Sequence, residues 1–337
     1  MTDVPPLARQ RRPRSGVRVA VLGGGRSSEH EVSLRSAEAV ARGLEQAGHE
    51  PLRVTISREG AWSRAGEPVS LVPGEGLLGA TAAFPALHGP FGEDGSVQGL
   101  LEWLDVPYVG SDVLASATCM DKLTLKRLFA AAGIPQVEFV AAGEPGWRER
   151  CAALRAPLWV KPSRLGSSVG ISRVDDLAEL DAAVELARRH DPRTIVEAAA
   201  PGREVEISLL GNDAVEASQP GEVVADAEWY DYETKYREGG MELLVPAPLP
   251  EAQLARLREL ALAAFELAGC AGLARCDFFA AADGAVLVNE VNTMPGFTET
   301  SVYAKLWAAS GLPYPALCDR LVELALERHE HVRSHEF

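Results

Sequence analysis

Asn289-Glu290-Val291-Asn292-Thr293-Met294-Pro295-Gly296 ends an apolar run that begins at Ala285, and its reading decides how the rest of the chain is read. Glu290 and Asn292 stand at the end of this strand pattern. A preceding strand pattern, Leu273 to Ala280, carries Arg275 and Asp277 two residues apart, so strand alternation puts both on one face. Asp277, Glu290 and Asn292 thus offer hard oxygen donors from adjacent strands, the ligand type Mg²⁺ takes when it is shared with nucleotide phosphates. Arg275 adds a cation beside any phosphate held there. Glu290 or Asn292 alone would read as a strand cap, whereas the four together read as a metal and phosphate site. Pro295-Gly296 then forms a tight turn that can present a backbone N–H.

Working outward, 337 residues exceed one ordinary core and suit two or three compact units. The apolar share of 47% with 6% aromatic residues is globular composition, not that of a disordered chain. Net charge is 33 − 48 = −15, which opposes nonspecific binding to nucleic acid or anionic membranes, so any phosphate must be held by local cations. The basic stretch Arg9 to Arg14 reads as a solvated tail rather than a nucleic-acid arm. No window reaches the apolar length of a membrane span and the N-terminus lacks a signal-peptide pattern, so a cytoplasmic protein is expected. Cys119, Cys151, Cys270, Cys276 and Cys318 are scattered without a C-x-x-C pair, which argues against a disulfide framework or a zinc site.

Val17 to Leu22, Gly23-Gly24-Gly25 and the helical spacing of Leu34, Ala37, Val40, Ala41 and Leu44 read as strand, turn and helix. Strands at Leu52 to Ile56 and Ala83 to Leu87, with a helix at Gly95 to Leu104, extend this to an open parallel α/β unit. Helices at Asp112 to Thr118 and Asp121 to Ala131 follow. Two α+β units come next, the first with strands at Leu158 to Lys161 and Thr194 to Glu197, the second opening at Glu204 to Leu210. The expected division is a basic tail (1–16), an N-terminal α/β domain (17–115), a central lobe (116–203) and a C-terminal lobe carrying the metal and catalytic site (204–337).

The triple glycine invites a dinucleotide reading, but Ser28 stands where the third fingerprint glycine belongs, and no G-K-[ST] occurs anywhere. An anion-binding turn and a plain chain reversal both stay open there. Lys161-Pro162-Ser163-Arg164-Leu165-Gly166-Ser167-Ser168-Val169-Gly170 sets a strand lysine before a loop of small residues that exposes backbone N–H groups. Such a loop could close over phosphates, or be a hairpin with a solvent-exposed lysine.

Read in order, Gly24 to Ser33, His88-Gly89-Pro90-Phe91-Gly92-Glu93-Asp94-Gly95, Met120-Asp121-Lys122, the lysine and serine loop, Tyr230-Asp231-Tyr232-Glu233-Thr234-Lys235-Tyr236, and Asn289 to Gly296 resemble the D-alanine:D-alanine ligase family of the ATP-grasp superfamily. The resemblance covers nearly all of the chain after residue 16. It implies an ATP-grasp fold, in which two α+β lobes clamp ATP behind the N-terminal domain. It implies ATP-dependent joining of two D-alanine molecules through a D-alanyl phosphate, for peptidoglycan and hence cell-wall and cell-shape maintenance. The related alternative takes D-lactate or D-serine as second substrate. ATP with Mg²⁺ or Mn²⁺ would be the cofactors, and a homodimer the assembly.

Residue by residue, the resemblance assigns Lys122, Lys161, Ser167, Ser168, Lys235 and Asn289 to the nucleotide and its phosphates, and Glu197 and Glu204 to the adenine and ribose side. Glu29 would pair with the ammonium of the first D-alanine and His88 would sit near the substrate carboxylates. Arg275 and the N–H of Gly296 would form an oxyanion hole, with Ser301 and Val302 at the second D-alanine. Ser167 and Tyr236 would tie two loops to Glu29, and tyrosine at 236 favours a dipeptide product. Glu197 is followed by Ala198-Ala199-Ala200 where relatives carry bulkier or charged residues, which leaves adenine contact to the backbone. Two rival classes are weighed against this: a nicotinamide-dependent oxidoreductase, opposed by the failed fingerprint, and a noncatalytic nucleotide-binding module, opposed by the full cation and oxygen set.

Overall fold

The computed structural model describes residues 16–167, 169–225 and 241–335. Strand β1 (Arg18–Gly24) is apolar and β-branched, and Val19, Ala20, Val21 and Leu22 are all buried, as a central strand covered on both faces must be. It pairs in parallel with β2 (Glu50–Ile56) and β5 (Ala82–Pro85). Two short antiparallel strands, β3 (Trp62–Arg64) and β4 (Glu67–Pro68), extend the sheet to the order β4-β3-β2-β1-β5. At the end of β1, ahead of helix α1 (His30–Gln46), Gly24 has φ +94°, and a Cβ there would fall 2.3 Å from the Ile56 carbonyl oxygen. The turn therefore requires glycine. Its N–H donates to Ser33 Oγ at 2.9 Å, and Ser33 in turn donates to the Ala86 carbonyl at 2.6 Å, joining the helix start to the end of β5.

Helices α2 (Ser96–Trp103), α3 (Val113–Met120) and α4 (Lys122–Ala132) lead to a second sheet. Its strands are β6 (Phe139–Ala141), β7 (Leu158–Pro162), β8 (Ser172–Val174) and β9 (Thr194–Ala198), in the order β6-β9-β7-β8 and antiparallel throughout. Helices α5 (Trp147–Leu154) and α6 (Leu180–Arg188) cover it, burying Cys151, Ala183 and Val184 with Leu158, Val160 and Val196. The glycine and serine loop spans β7 to β8, so it is topologically a wide hairpin.

The third sheet is built from β10 (Arg203–Gly211), β11 (Glu216–Ala217), β12 (Gly221–Ala225), β13 (Met241–Leu244), β14 (Gly272–Ala280) and β15 (Val286–Asn292). Its order is β13-β12-β10-β14-β15, with β11 beside β10. Helix α7 (Glu251–Leu267) lays Leu257, Leu260, Ala261, Ala264 and Phe265 against it. Helices α8 (Val302–Ala309) and α9 (Tyr314–Arg333) then return to the first sheet, where Leu317, Leu321 and Val322 share a core with Val19, Val21 and Phe84.

Phe297, directly after the Pro295-Gly296 turn, joins these parts. It is fully buried, with Phe84 of β5 at 5.2 Å and Tyr303 of α8 and Tyr314 of α9 each at 5.6 Å between ring centroids. Deleting a buried aromatic ring removes its transfer energy and leaves a cavity. Phe297→Ala is therefore expected to lower unfolding stability by about 3–5 kcal/mol, read from the midpoint of urea denaturation. A shift below about 1 kcal/mol would show that the N-terminal sheet and the C-terminal helices are not joined through this residue.

Candidate active site

Strand register assembles the polar centre. Glu206 of β10 stands opposite Asp277 of β14, which stands opposite Glu290 of β15. Two residues along, Ser208, Arg275 and Asn292 form the next row on the same face. The β14–β15 register shifts after Asp277, leaving Asn289 as the extra residue of a bulge immediately before Glu290. Such bulges re-aim side chains beside functional sites.

Carboxylates aligned on neighbouring strands repel unless cations intervene. Arg275 donates from Nε and Nη2 to the two oxygens of Asp277, both at 2.7 Å, and lies 2.9 Å from Glu206. Burial would lower its pKa, but Asp277 and Glu206 hold it well above the usual value. Asn292 Nδ2 donates to Asp277 at 3.1 Å. Lys122, at the start of α4, lies 3.4 Å from Glu290 and donates to the Leu165 carbonyl at 2.9 Å. Among the described residues no cluster of three His, Cys, Asp or Glu side chains is shaped to hold a metal. The oxygen set at hand is two carboxylates and one amide, a donor chemistry that fits a hard divalent cation.

Asp121 positions Lys122. It caps α4 by accepting from the Thr124 N–H, accepts from Ser163 Oγ at 2.7 Å and pairs with Arg193 at 2.9 Å. Lys161 on β7 is not the exposed lysine of a simple hairpin, because its Nζ lies 2.6 Å from Glu197 Oε2 on the paired strand β9. Glu197 is buried, so its carboxylate serves the protein interior. Glu204 is exposed, on the same face of β10 as Glu206.

A cleft of about 1110 Å³ brings Glu29, His88, Ser167, Arg275, Gly296, Ser301 and Val302 onto one wall system with Lys122, Glu290 and Asn292. Lys161, Glu197, Glu204, Asp277 and Asn289 stand behind or beside that surface rather than lining it. Glu29, at the N-cap of α1, is buried and accepts a hydrogen bond from Ser167 Oγ across the cleft. Ser167 holds φ +51°, a left-handed conformation that a serine adopts only under constraint. Gly89 (φ +72°) lets the chain pass Glu29, since a Cβ there would come within 2.5 Å of Glu29 Oε2.

Both ring nitrogens of His88 are engaged by the protein. Nδ1 faces the Met294 carbonyl at 3.1 Å, an acceptor only, so Nδ1 carries the proton and Nε2 accepts from Ser36 Oγ at 2.8 Å. Burial lowers the His88 pKa, keeping the ring neutral. Ser36 Oγ then accepts from the Phe297 N–H at 3.3 Å. Ser301 at the start of α8 turns its hydroxyl to the Thr298 N–H at 3.0 Å, and a Cβ on Gly296 would meet it at 3.4 Å.

Ser168, Lys235, Tyr236 and the aromatic loop from Trp229 lie outside the described residues. Three residues of this centre have no role in the sequence reading. Glu93 lines the cleft and accepts from the Gly89 N–H at 2.7 Å. Glu206 pairs with Arg275, and Lys126 is buried beside Glu197. Glu93 stood inside a quoted motif and Glu206 two residues beyond Glu204 on one strand face, so alternation could have found the latter.

Residues 18–75 and 69–111 match the family model described as D-ala D-ala ligase N-terminus, and residues 128–323 match D-ala D-ala ligase C-terminus. A curated D-alanine--D-alanine ligase from Deinococcus radiodurans is 48% identical over 334 residues, covering 92% of this chain and 98% of that protein. The solved D-alanine-D-alanine ligase from Coxiella burnetii is similar with a TM-score of 0.86 at 35% identity, over 95% of this chain and 97% of that one. VanG D-Ala:D-Ser ligase from Enterococcus faecalis is similar at 0.83 and 34%, over 92% and 100%. Neighbours at this similarity give the chain the ATP-grasp fold expected from its motifs.

Glu93 carries a pH consequence. Burial, then the charge of Glu29, pushes its carboxyl from 4.5 up to about 8. An acid whose pKa is raised on folding adds stability that is full below the unfolded value and is lost as pH rises toward the folded one. Between pH 4.5 and about 8 the Glu93→Gln variant should lose less thermal stability than the wild type. Parallel melting curves of the two proteins across that window would contradict this.

Proposed function

This chain belongs to the D-alanine–D-alanine ligase family, and from that premise we propose how its cleft carries out the ATP-dependent joining of two D-alanine molecules. The observation that supports the residue assignments is the single cleft uniting Glu29, Arg275, Gly296 and Ser301 with Lys122, Glu290 and Asn292. A free carboxylate is a poor acyl donor, and transfer of the γ-phosphoryl group to the first D-alanine creates an acylphosphate with a good leaving group. The amine of the second D-alanine then attacks, releasing the dipeptide and phosphate beside ADP.

In this reading Lys122, Lys161 and Lys235 hold phosphates, with Ser167, Ser168 and the bulged Asn289 around them. Glu204 faces the ribose, and Glu197 contributes backbone atoms, its carboxylate being taken by lysines. Asp277, Glu290 and Asn292 would hold Mg²⁺ or Mn²⁺, which when bound offsets phosphate charge. Arg275, kept in place by Glu206, faces the reacting carboxylate and shares the oxyanion with the Gly296 N–H. Glu29 takes the ammonium of the first D-alanine, and the Ser167 hydrogen bond to it draws the loop between β7 and β8 over the site. That loop, with Tyr236, keeps water from the acylphosphate. Neutral His88 works indirectly, holding the Met294 to Phe297 turn so that Gly296 presents its N–H. Ser301 and Val302 receive the second D-alanine.

No helix among the described residues is long and apolar enough to cross a membrane. With the family's role in peptidoglycan precursor synthesis, this supports placing the enzyme in the cytoplasm, as a homodimer by resemblance. The units 17–115, 116–203 and 204–337 would supply the substrate wall, one nucleotide lobe and the other lobe with the catalytic centre.

Phosphate release with D-alanine alone, and with D-lactate, D-serine or L-alanine added, tests the reading. D-Alanine alone should give the highest turnover; faster turnover with D-serine or D-lactate as acceptor would move the specificity to the related alternative. Arg275→Ala should lower the D-alanine-dependent rate about 100- to 1,000-fold, the loss typical of one oxyanion donor. An unchanged rate would remove Arg275 from that role.

A further inference from the structure

Lys126 is 2% exposed, although lysine is almost never fully buried unless it is paired. It stands one helical turn beyond Lys122 on the same face of α4, but it does not line the cleft. Its Nζ lies 2.9 Å from Glu197 Oε1, 3.4 Å from the Val137 carbonyl and 5.8 Å from the centre of the Phe139 ring. The other oxygen of Glu197 lies 2.6 Å from Lys161. One buried carboxylate thus sits between two ammonium groups, of which Lys161 is the less enclosed, at 17% side-chain exposure against 2% for Lys126.

This asymmetry matters if Lys161 turns to a phosphate, as the proposed function has it. Leaving Glu197 would strip a buried carboxylate of its partner, which is strongly unfavourable. We propose that Lys126 is a positioning residue for nucleotide binding, a fixed counter-ion that keeps Glu197 compensated and so frees Lys161 to engage ATP phosphate. The inference rests on the nucleotide role of Lys161. Burial would raise the Glu197 pKa, but Lys126 first and Lys161 second hold it at about 2, so the carboxylate stays ionised and needs a partner at every neutral pH.

The experiment measures dissociation constants for ATP and for adenosine, without D-alanine, by displacement of a fluorescent ATP analogue. Wild type, Lys126→Met, Glu197→Gln and the double variant are compared, with circular dichroism melting to establish that each is folded. In Lys126→Met, Lys161 stays on Glu197, so ATP should weaken by about tenfold or more while adenosine changes less than about twofold. In the Glu197→Gln background there is no carboxylate to strand, and adding Lys126→Met should then change ATP affinity less than about threefold. That neutral double variant also serves if Lys126→Met alone fails to fold, because a buried ion pair replaced by uncharged groups of similar size is tolerated. Wild-type ATP affinity in Lys126→Met, an equal loss for ATP and adenosine, or an undiminished ATP loss in the Glu197→Gln background would each overturn the proposal. Failure of the wild type to bind ATP would instead overturn the nucleotide reading of the cleft.

Discussion

Three carboxylates in cross-strand register, Glu206, Asp277 and Glu290, cannot stay ionised side by side without cations between them. Arg275 and Lys122 supply that charge. The proposed function gives these same cations to substrate and phosphate. The site is therefore held together by pairs that ligands can replace, since phosphate offers the cations new partners and a divalent cation offers the carboxylates one.

The surrounding structure serves to keep this row in register. Antiparallel pairing of β10, β14 and β15 sets the spacing, and α7 buries the opposite face of the sheet. At the end of β15 the chain turns through Gly296 into Phe297, which locks onto β5, α8 and α9. His88 and Ser36 tie the same turn to the N-terminal sheet. The first sheet is thus fixed relative to strands β14 and β15 through a fully buried contact rather than through a linker.

Much of this was legible in sequence because it depends on short-range rules. Alternation along β14 placed Arg275 with Asp277, the end of the neighbouring strand pattern supplied Glu290 and Asn292, and the glycine turn after β1 followed from its flanking periodicity. What escaped depends on register or burial. Nothing in the sequence singles out Lys126, which β9 brings against Glu197. The sequence reading puts His88 near the substrate carboxylates, and only the fold shows the Met294 carbonyl and Ser36 on its two nitrogens. Strands β3, β4, β6, β8 and β13 span only 2–4 residues each, too short to display a period. The first sheet is parallel at β2, β1 and β5 as expected, and β3 and β4 add an antiparallel flank that those few half-exposed residues could not announce.

The central claim is that the cleft activates a carboxylate by phosphorylating it. Incubation with ATP and D-alanine labelled with ¹⁸O in its carboxylate, followed by mass analysis of the released phosphate, tests this directly. Attack by the carboxylate on the γ-phosphorus makes its oxygen the bridge to the acyl carbon, and that oxygen leaves with phosphate when the second amine attacks. The account predicts ¹⁸O in the inorganic phosphate in proportion to dipeptide formed. Dipeptide accompanied by unlabelled phosphate would contradict it.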